Sequence, residues 1–235
     1  MRQLQLFDDL ILTPRADLKE AKRLLAGLRK KGIVFGTDEA GRGALAGPVL
    51  AASVYLTKEQ EDKLLGLKLR DSKKMTANRR EKLFAAMNDM GVIWSVSSGS
   101  INRIEKDNIL VASLWTMGKS ARKLAATMGA DPICVIVDGT ERIEKLKYPQ
   151  WTLIQADNLI PAVSAASIIA KVLRDRIMVK LGRKYPLYQF DKNKGYPTQE
   201  HMDMVAKIGM CPVHRPYFCK KIIELNRGPF TDAAD

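Results

Sequence analysis

The sequence has few of the residues that several common kinds of functional site require. Its 235 residues include only two histidines and three cysteines. The cysteines, Cys134, Cys211 and Cys219, form no Cys-x-x-Cys pair. This scarcity argues against a disulfide framework and a zinc site, and it is typical of a reducing compartment such as the cytoplasm. An enzyme that relies on a pair of histidines as general acid and base is disfavoured as well.

Long apolar runs and the common nucleotide-binding and hydrolase motifs are also absent. No stretch approaches the about 20 apolar residues of a membrane helix, and acidic residues interrupt the N-terminus where a signal peptide would be apolar. No G-x-S-x-G elbow and no P-loop lysine motif occurs. The segment GTDEAGRG, residues 36–43, lacks the G-x-G-x-x-G spacing, and its acids would repel a pyrophosphate. We therefore expect a soluble cytoplasmic protein with no membrane partner.

What the sequence has in excess is positive charge. The 39 Lys and Arg residues outnumber the 26 Asp and Glu residues and give a formal net charge of +13. Such an excess favours a polyanionic partner, and nucleic acid is the usual one. Aromatic and basic residues alternate between Tyr185 and Tyr196, and rings of this kind stack on sugars and bases while cations contact phosphates. A solvated basic face with buried tyrosines would give the same pattern.

The hydrophobic pattern predicts one α/β unit with an appendage. A chain of this length is too short for two full enzymatic domains, and its 46% hydrophobic content is enough for a core. The order of predicted elements, β-β-α-β-α-β-β-α, indicates a mixed sheet with helices on its faces, and the first two strands are expected to form an antiparallel hairpin. Helix starts are predicted at Asp17, at Thr76 or Asn78, and at Pro161.

Carboxylates end three of the predicted strands: Asp38 with Glu39, then Asp138, then Asp157 at the end of WTLIQAD. Ligand sites in α/β sheets gather at strand ends. Four carboxylates at one edge would repel one another unless cations lay between them, and such hard oxygen ligands suit Mg²⁺ or Mn²⁺. Two such ions about 4 Å apart activate a water and stabilise the leaving oxygen of a phosphodiester. One of these acids alone would more often cap a loop, but the set predicts a metal site.

Six segments occur in an order that resembles the ribonuclease HII family, from about Ile33 to about Arg227. They are GTDEAGRGALAGPV, LRDSKKMT, VDG, SAASIIAKVLRD, KGYPTQEH and CPVHRPYF. The GRG triplet in the first segment favours this family over ribonuclease HIII, which has a GKG-like triplet there. The resemblance implies an RNase H-like fold, with a central five-stranded mixed sheet, flanking helices and a small helical C-terminal extension.

The resemblance also implies an activity. The expected reaction is endonucleolytic cleavage of the RNA strand of RNA–DNA hybrids, including single ribonucleotides embedded in duplex DNA. Two-metal-assisted hydrolysis, with Mg²⁺ or Mn²⁺, would leave 3′-hydroxyl and 5′-phosphate ends. The expected organisation is a tail and helix over 1–32, a catalytic domain over 33–180 and a nucleic-acid-binding extension over 181–235. The expected oligomeric state is a monomer.

Residue by residue, the resemblance assigns three groups of contacts. The catalytic metal ligands are Asp38, Glu39, Asp138 and Asp157. Gly41, Arg42 and Gly43 fall at the ribonucleotide 2′-hydroxyl, and Tyr196 falls at the RNA–DNA junction. Phosphate contacts fall on Ser72, Lys73, Lys74, Lys171 and Arg174. Asp175, next to the last of these, is interpreted instead as a salt-bridge partner. The sequence departs from the family where QAD replaces the commoner KGD or KAD, so the surroundings of Asp157 are expected to differ.

Two other functions remain open from the sequence. One is another RNase H-like nuclease of the transposase or resolvase type, which the acids alone would allow but which the GRG and KGYPT segments disfavour. The other is a non-enzymatic module that binds RNA or hybrids, which would need a basic surface but no acids.

The N-terminal tail carries a separate short motif. Gln3, Leu4, Leu6 and Phe7 lie in QLQLF, which resembles the linear motif by which bacterial repair and replication proteins dock on the sliding clamp. Two leucines and a phenylalanine suit an apolar groove, and a terminal segment can present them away from the active site. The alternative is that these side chains pack the tail onto the domain.

Overall fold

A five-stranded mixed sheet lies at the centre of the computed structural model, which describes residues 15–69 and 75–226. The strands are β1 (Val34–Ala40), β2 (Val49–Tyr55), β3 (Ile93–Gly99), β4 (Cys134–Asp138) and β5 (Gln150–Leu153), in the order β3-β2-β1-β4-β5. β2 pairs antiparallel with β1 and β3, whereas β1, β4 and β5 are parallel to one another. The predicted sheet and the predicted β1–β2 hairpin are therefore confirmed.

Helices cover the sheet and continue beyond it. They are α1 (Leu18–Lys31), α2 (Lys58–Gly66), α3 (Ala77–Asp89), α4 (Ile101–Asp107), α5 (Ile109–Met128), α6 (Ala156–Leu159), α7 (Pro161–Lys184), α8 (Phe190–Asn193), α9 (Gln199–Ile208) and α10 (Pro216–Asn226), with a 3₁₀ turn at Pro186–Tyr188. Across 15–69 and 75–226, no helix combines the length and the apolar character that crossing a bilayer requires.

Local signals begin three of the helices, α1, α3 and α7, where the sequence predicts them. The Asp17 carboxylate accepts a hydrogen bond from the amide of Glu20 at 2.8 Å, and the Thr76 hydroxyl accepts one from the amide of Arg79 at 3.3 Å. Each bond satisfies an amide that a helix terminus leaves without an internal partner. Pro161 lies in the first turn of α7, where its missing N–H costs nothing.

Two hydrophobic layers hold the sheet, one on each face. α5 covers one face, where Phe35 of β1 and Val137 of β4 are buried. α7 covers the other face and packs closely against β1. Gly36 makes this approach possible, because an added Cβ would lie 2.5 Å from the backbone nitrogen of Val163. The buried centre of α7 thereby fixes the helix across the strands that carry the acids.

The C-terminal part has a smaller core of its own, built on the end of α7. Tyr188, Phe190 and Val205 are buried there with Leu45 and Ala46, which come from the connection between β1 and β2. α7 runs without interruption across the domain boundary expected at residue 180. The loop that follows β1 is therefore packed into the C-terminal core.

The prediction that Asp157 ends a strand was wrong. β5 ends at Leu153, and Asp157 lies in the short helix α6 instead of at the end of a strand. The reason is local: Gln155 has φ 57° and ψ 36°, a left-handed conformation that stops the extended chain and turns it into α6. A strand pattern that reads through QAD does not reveal such a turn.

Candidate active site

A cleft of 480 Å³ opens at the edge of the sheet where β1 and β4 end. Because the two strands are parallel and Thr37 pairs with Val137, the next residues, Asp38 and Asp138, follow at the same edge. The cleft combines acids, cations, a glycine loop and one aromatic ring: Asp38, Glu39, Ala40, Gly41, Arg42, Arg80, Asp138, Ser167, Lys171 and Tyr196. The structure thus brings together seven of the residues that the sequence singles out: Asp38, Glu39, Gly41, Arg42, Asp138, Lys171 and Tyr196.

Three carboxylates in the cleft act on one another electrostatically. Burial raises the pKa of Asp38 well above its ordinary value, and the charges of Glu39 and Asp138 raise it further. The amide of Glu39 donates to Asp38 Oδ1 at 2.7 Å, and this bond and one from Ser167 act in the opposite direction. Burial also raises the pKa of Glu39, while the guanidinium of Arg42, 3.3 Å from its Oε1, lowers it and Asp138 raises it.

This donor set fits a divalent cation. Carboxylate oxygens are the ligands that Mg²⁺ and Mn²⁺ prefer, and a cation between the three acids would relieve the repulsion that raises the pKa values of Asp38 and Glu39. Among the residues that the structure describes, no three His, Cys, Asp or Glu side chains are already arranged around one ion position.

The fourth predicted acid, Asp157, lies close to this edge but outside the lining of the cleft. It is fully buried in α6, and its backbone carbonyl accepts a hydrogen bond from the Ser164 hydroxyl of α7. Since β5 is parallel to β4, α6 follows at the same end of the sheet. The structure brings Asp38, Glu39 and Asp138 into one cleft, and the participation of Asp157 stays a prediction.

Two buried arginines hold the loop that follows β1. Arg215 donates from Nε and Nη2 to the carbonyl of Gly47, at 2.9 and 2.8 Å, and from Nη1 to the carbonyl of Arg42 at 2.9 Å. Within this loop Gly41 has φ 98°, and an added Cβ would collide with the guanidinium of Arg174. Gly41 and Arg42 face the cleft, whereas Gly43 is exposed beside it.

Arg174 is not placed as the sequence predicted. Its side chain is fully buried, and its guanidinium donates to the carbonyls of Pro48, Ala46 and Lys194 at 2.9–3.0 Å. Burial lowers its pKa. This placement does not support a phosphate contact, because all three guanidinium nitrogens already bind backbone. Arg174 instead ties the loop after β1 to the segment that precedes Tyr196.

Tyr196 and Lys171 line the cleft together, and their predicted contacts with nucleic acid stay predictions. The ammonium of Lys171 lies 4.8 Å from the centre of the Tyr196 ring, within the range of a cation–π contact. The same ammonium lies 2.8 Å from Asp175, which confirms Asp175 as a salt-bridge partner. The ring is half-buried, so one part of it stays accessible from the cleft.

Sequence reasoning missed several residues of this region. Ser167 had a usable signal, because it lies four residues before Lys171 and therefore on the same face of α7. Arg80 of α3 lines the cleft without a motif of its own, and the buried Arg215 and the adjoining histidines become meaningful only through contacts distant in sequence. Two predicted groups lie outside the described residues: Ser72, Lys73 and Lys74, and Gln3, Leu4, Leu6 and Phe7.

The chain is similar in sequence to proteins of one family. The family model described as Ribonuclease HII matches residues 35–221. A Ribonuclease HII of Zymomonas mobilis is 38% identical over 85% of this chain and 92% of its own length. A Ribonuclease HII of Idiomarina loihiensis is 40% identical over 79% of this chain and 95% of its own length.

Solved structures share the fold. Ribonuclease H2 from Pyrococcus horikoshii OT3 has a TM-score of 0.62 and 28% identity, covering 84% of this chain and 100% of that one. Bst-RNase HIII, solved in complex with Mn²⁺, has a TM-score of 0.65 and 17% identity over 83% of this chain and 70% of its own. RNase HII from Archaeoglobus fulgidus, solved in a PCNA complex, has a TM-score of 0.65 and 24% identity over 86% and 100%. The fold is thus RNase H-like, and the chain belongs to the ribonuclease HII family and is a ribonuclease H endonuclease.

Proposed function

We propose that the cleft hydrolyses the RNA strand of RNA–DNA hybrids and also cuts at single ribonucleotides embedded in duplex DNA. One observation carries the proposal: three interacting carboxylates, the loop at Gly41 and the ring of Tyr196 line the same cleft. The acids serve hydrolysis, while the loop and the ring serve recognition of a sugar. A module that only binds hybrids would have no use for acids whose burial raises their pKa values.

Asp38, Glu39 and Asp138, with Asp157 as the fourth acid, would hold Mg²⁺ or Mn²⁺, and we propose two ions during catalysis. When bound, such ions supply an activated water and stabilise the charge on the leaving oxygen, which gives 3′-hydroxyl and 5′-phosphate ends. Ser167 donates to Asp38 and the amide of Glu39 holds one of its oxygens at 2.7 Å. These bonds orient the Asp38 carboxylate toward the ion that it would bind. The presence of Mn²⁺ in the Bst-RNase HIII structure agrees with this assignment.

Recognition of the ribonucleotide falls to the loop after β1. Gly41, Arg42 and Gly43 are the proposed contacts of the 2′-hydroxyl, because the two glycines have no side chain to keep a sugar away and a 2′-hydroxyl both donates and accepts hydrogen bonds. Arg215 fixes this loop through the Arg42 carbonyl at 2.9 Å, so the backbone groups are positioned before substrate arrives. Tyr196 would pack against the sugar at the junction of RNA and DNA.

A basic groove extends the cleft and supports a path for the nucleic-acid backbone. This groove, of 450 Å³ between α3 and α7, shares Arg80 with the cleft and is also lined by Arg176, Lys180, Arg183 and Lys194. Two acids, Glu81 and Asp175, lie among these five cations, and Glu81 pairs with Arg176 at 2.6 Å. Cations in such a row neutralise successive phosphates. Lys171 in the cleft belongs to the same path in this proposal. Ser72, Lys73 and Lys74, which lie outside the described residues, are proposed as further phosphate contacts. The helical extension after residue 180 would then contribute to binding.

Three duplexes test the proposed activity. The first contains one ribonucleotide in otherwise all-DNA strands, the second is a long RNA–DNA hybrid, and the third is all DNA. With Mg²⁺ or Mn²⁺, the protein is expected to cut the first two and leave the third intact, and a chelator is expected to abolish cutting. A monomer is expected throughout. Binding to the first two without cutting under any divalent ion would favour the binding module.

The N-terminal motif supports a second, independent role. We propose that Gln3, Leu4, Leu6 and Phe7 dock on the sliding clamp, as the PCNA complex of the Archaeoglobus fulgidus relative suggests by analogy. Docking would raise the local concentration of enzyme at newly made DNA.

The test compares clamp binding by the wild type and by the Leu6→Ala/Phe7→Ala variant. Clamp binding lost in the variant, with an unchanged melting temperature, supports docking. Absence of binding by the wild type refutes it.

A further inference from the structure

The two histidines of the chain lie against each other in the C-terminal core, outside the cleft. His201 of α9 is 1% exposed and His214 is 2% exposed, and their Nε2 atoms are 3.0 Å apart. Aromatic rings enclose them: the Tyr188 ring centre is 4.6 Å from that of His214, and the Phe190 ring centre is 5.4 Å from that of His201. An imidazole pair in such a setting needs every nitrogen to have a defined hydrogen-bonding role.

The surrounding backbone determines where the two ring protons lie. The amide of Cys211 donates to His214 Nδ1 at 3.0 Å, so this nitrogen must be the acceptor and the proton of His214 lies on Nε2. That proton faces His201 Nε2 at 3.0 Å, which must therefore accept. The proton of His201 then lies on Nδ1, which is 2.9 Å from the carbonyl oxygen of Tyr196.

The opposite proton arrangement fits less well. His214 Nδ1 also lies 3.3 Å from the carbonyl and 3.2 Å from the Sγ of Cys211, to either of which it would donate if it carried the proton. The amide hydrogen of Cys211 would then point at another hydrogen. Both histidines are neutral at neutral pH in this arrangement, because burial lowers the pKa of His201 and lowers that of His214 to about 4. One directional chain of hydrogen bonds therefore runs from Cys211 through both rings to Tyr196.

We propose that His214 and His201 form a hydrogen-bond relay that positions Tyr196 for the ribonucleotide, an inference that rests on the proposed function. The relay ends on the backbone of Tyr196 and does not touch its ring. Both histidines are therefore positioning residues and take no part in the reaction itself. The carbonyl of Tyr196 has two donors, the second being the amide of Thr198 at 2.8 Å.

The relay also connects the two recognition elements of the cleft. The backbone of His214 forms an isolated antiparallel β-bridge with that of Ala46. The next residue, Arg215, donates a hydrogen bond from its amide to the Leu45 carbonyl at 2.8 Å and another from its guanidinium to the Arg42 carbonyl at 2.9 Å. The segment around His214 thus holds the glycine loop directly through Arg215, and it reaches the Tyr196 backbone through His201. A substrate that contacts both the glycine loop and Tyr196 would therefore depend on the relative position of these two elements.

Two substitutions at His201 distinguish the relay from simple packing. The side-chain amide of asparagine reaches the position of Nδ1, so His201→Asn retains a donor for the Tyr196 carbonyl but loses the acceptor of the His214 proton. This variant therefore isolates the bond that reaches Tyr196. The amide of glutamine reaches the position of Nε2, so His201→Gln loses that donor. For cleavage of a duplex with one embedded ribonucleotide, we expect His201→Gln to raise KM about tenfold, the effect of one lost hydrogen bond, with kcat little changed. His201→Asn should stay within about threefold of the wild type.

A double variant shows whether the effect passes through Tyr196. In a Tyr196→Ala background, His201→Gln should produce no further rise in KM, because the group that it positions is gone. Independent, additive effects of the two substitutions would overturn the relay. So would equal behaviour of His201→Gln and His201→Asn.

A measurement on the wild-type protein without substrate keeps the two proposals separable. Nitrogen-15 NMR of the imidazoles should show His201 protonated on Nδ1 and His214 protonated on Nε2. The opposite assignment for either ring overturns the relay, even if both His201 variants fail to fold. A wild type that shows the expected proton positions but cuts no ribonucleotide would refute the proposed function and leave the hydrogen-bond chain in place.

Discussion

Arg215 donates a hydrogen bond from Nη1 to the backbone carbonyl of Arg42 over 2.9 Å, although the two residues are 173 positions apart in the chain. The bond joins the start of α10 to the loop that enters the cleft. Arg215 is fully buried, and burial, with the neighbouring charge of Arg174, lowers its pKa to about 9. A charge buried at this cost persists because it satisfies carbonyl groups that water does not reach.

Replacing Arg215 by lysine is expected to lower the free energy of unfolding by about 3 kcal/mol, because an ammonium cannot reproduce the forked contacts to two carbonyls. Urea unfolding at neutral pH measures the loss. The matched control is Arg42→Lys, whose side chain is exposed and should change stability by about 0.5 kcal/mol or less. Equal stability of the two variants would show that the buried fork does not hold the loop.

Asp38→Asn is expected to stabilise the metal-free protein at neutral pH. The pKa of Asp38 is raised in the folded state, so ionisation of this group destabilises the fold as pH rises above the unfolded value of about 4. The variant should therefore be more stable than the wild type at pH 7, and this difference should disappear at about pH 4 or below. Thermal melting across this range, in the presence of a chelator, measures it.

Addition of Mg²⁺ gives the control for that prediction. The ion should raise the melting temperature of the wild type more than that of Asp38→Asn, because the variant has lost one ligand and part of the repulsion that the ion relieves. A wild type that Mg²⁺ does not stabilise at any concentration would contradict a metal site at Asp38.

Tyr196→Ala is expected to lower kcat/KM for cleavage at a single embedded ribonucleotide by roughly 5- to 150-fold. This range corresponds to the loss of a ring contact that contributes about 1–3 kcal/mol. Tyr196→Phe retains the ring and should stay close to the wild type. The stabilisation by Mg²⁺ should be unchanged in both variants, because the ring holds no ion. Equal loss of Mg²⁺ binding and of cleavage in Tyr196→Ala would mean that the residue is structural.

The basic groove between α3 and α7 is expected to control the salt dependence of binding. Lys180→Gln/Arg183→Gln should reduce the slope of log affinity against log salt by up to about 1.8, since each phosphate contact contributes about 0.9. The control pair is Lys22→Gln/Lys30→Gln, in a second groove of 560 Å³ between α1 and α2 that does not adjoin the cleft. If both pairs reduce the slope equally, general charge and not this groove attracts the duplex.

Local patterns were enough to predict a mixed sheet and the starts of three helices. The cap at Asp17, the cap at Thr76 and the proline at the start of α7 each depend on residues a few positions away, and the structure confirms all three. The meeting of Asp38 and Asp138 was also predictable, because parallel strands end at the same edge of a sheet.

Contacts between distant segments were not predictable in the same way. The helical spacing of α7 indicates that Arg174 lies on one of its faces, but not that three backbone carbonyls of other segments surround its guanidinium. Likewise His201 and His214 are 13 positions apart, and only the fold of α9 and the following loop places their rings in contact. The left-handed turn at Gln155 could not be predicted from a glycine or a proline, because the residue that adopts it is a glutamine.

The most direct test is cleavage of an end-labelled duplex with one ribonucleotide, by the wild type and by Asp138→Asn, with Mg²⁺ in excess. Asparagine preserves the shape of Asp138 but removes the charge that acts on Asp38 and Glu39. We expect the wild type to cut at the ribonucleotide and leave a 3′-hydroxyl and a 5′-phosphate, and the folded variant to be slower by orders of magnitude. Cleavage by Asp138→Asn at nearly the wild-type rate would contradict the assignment of this cleft as the active site.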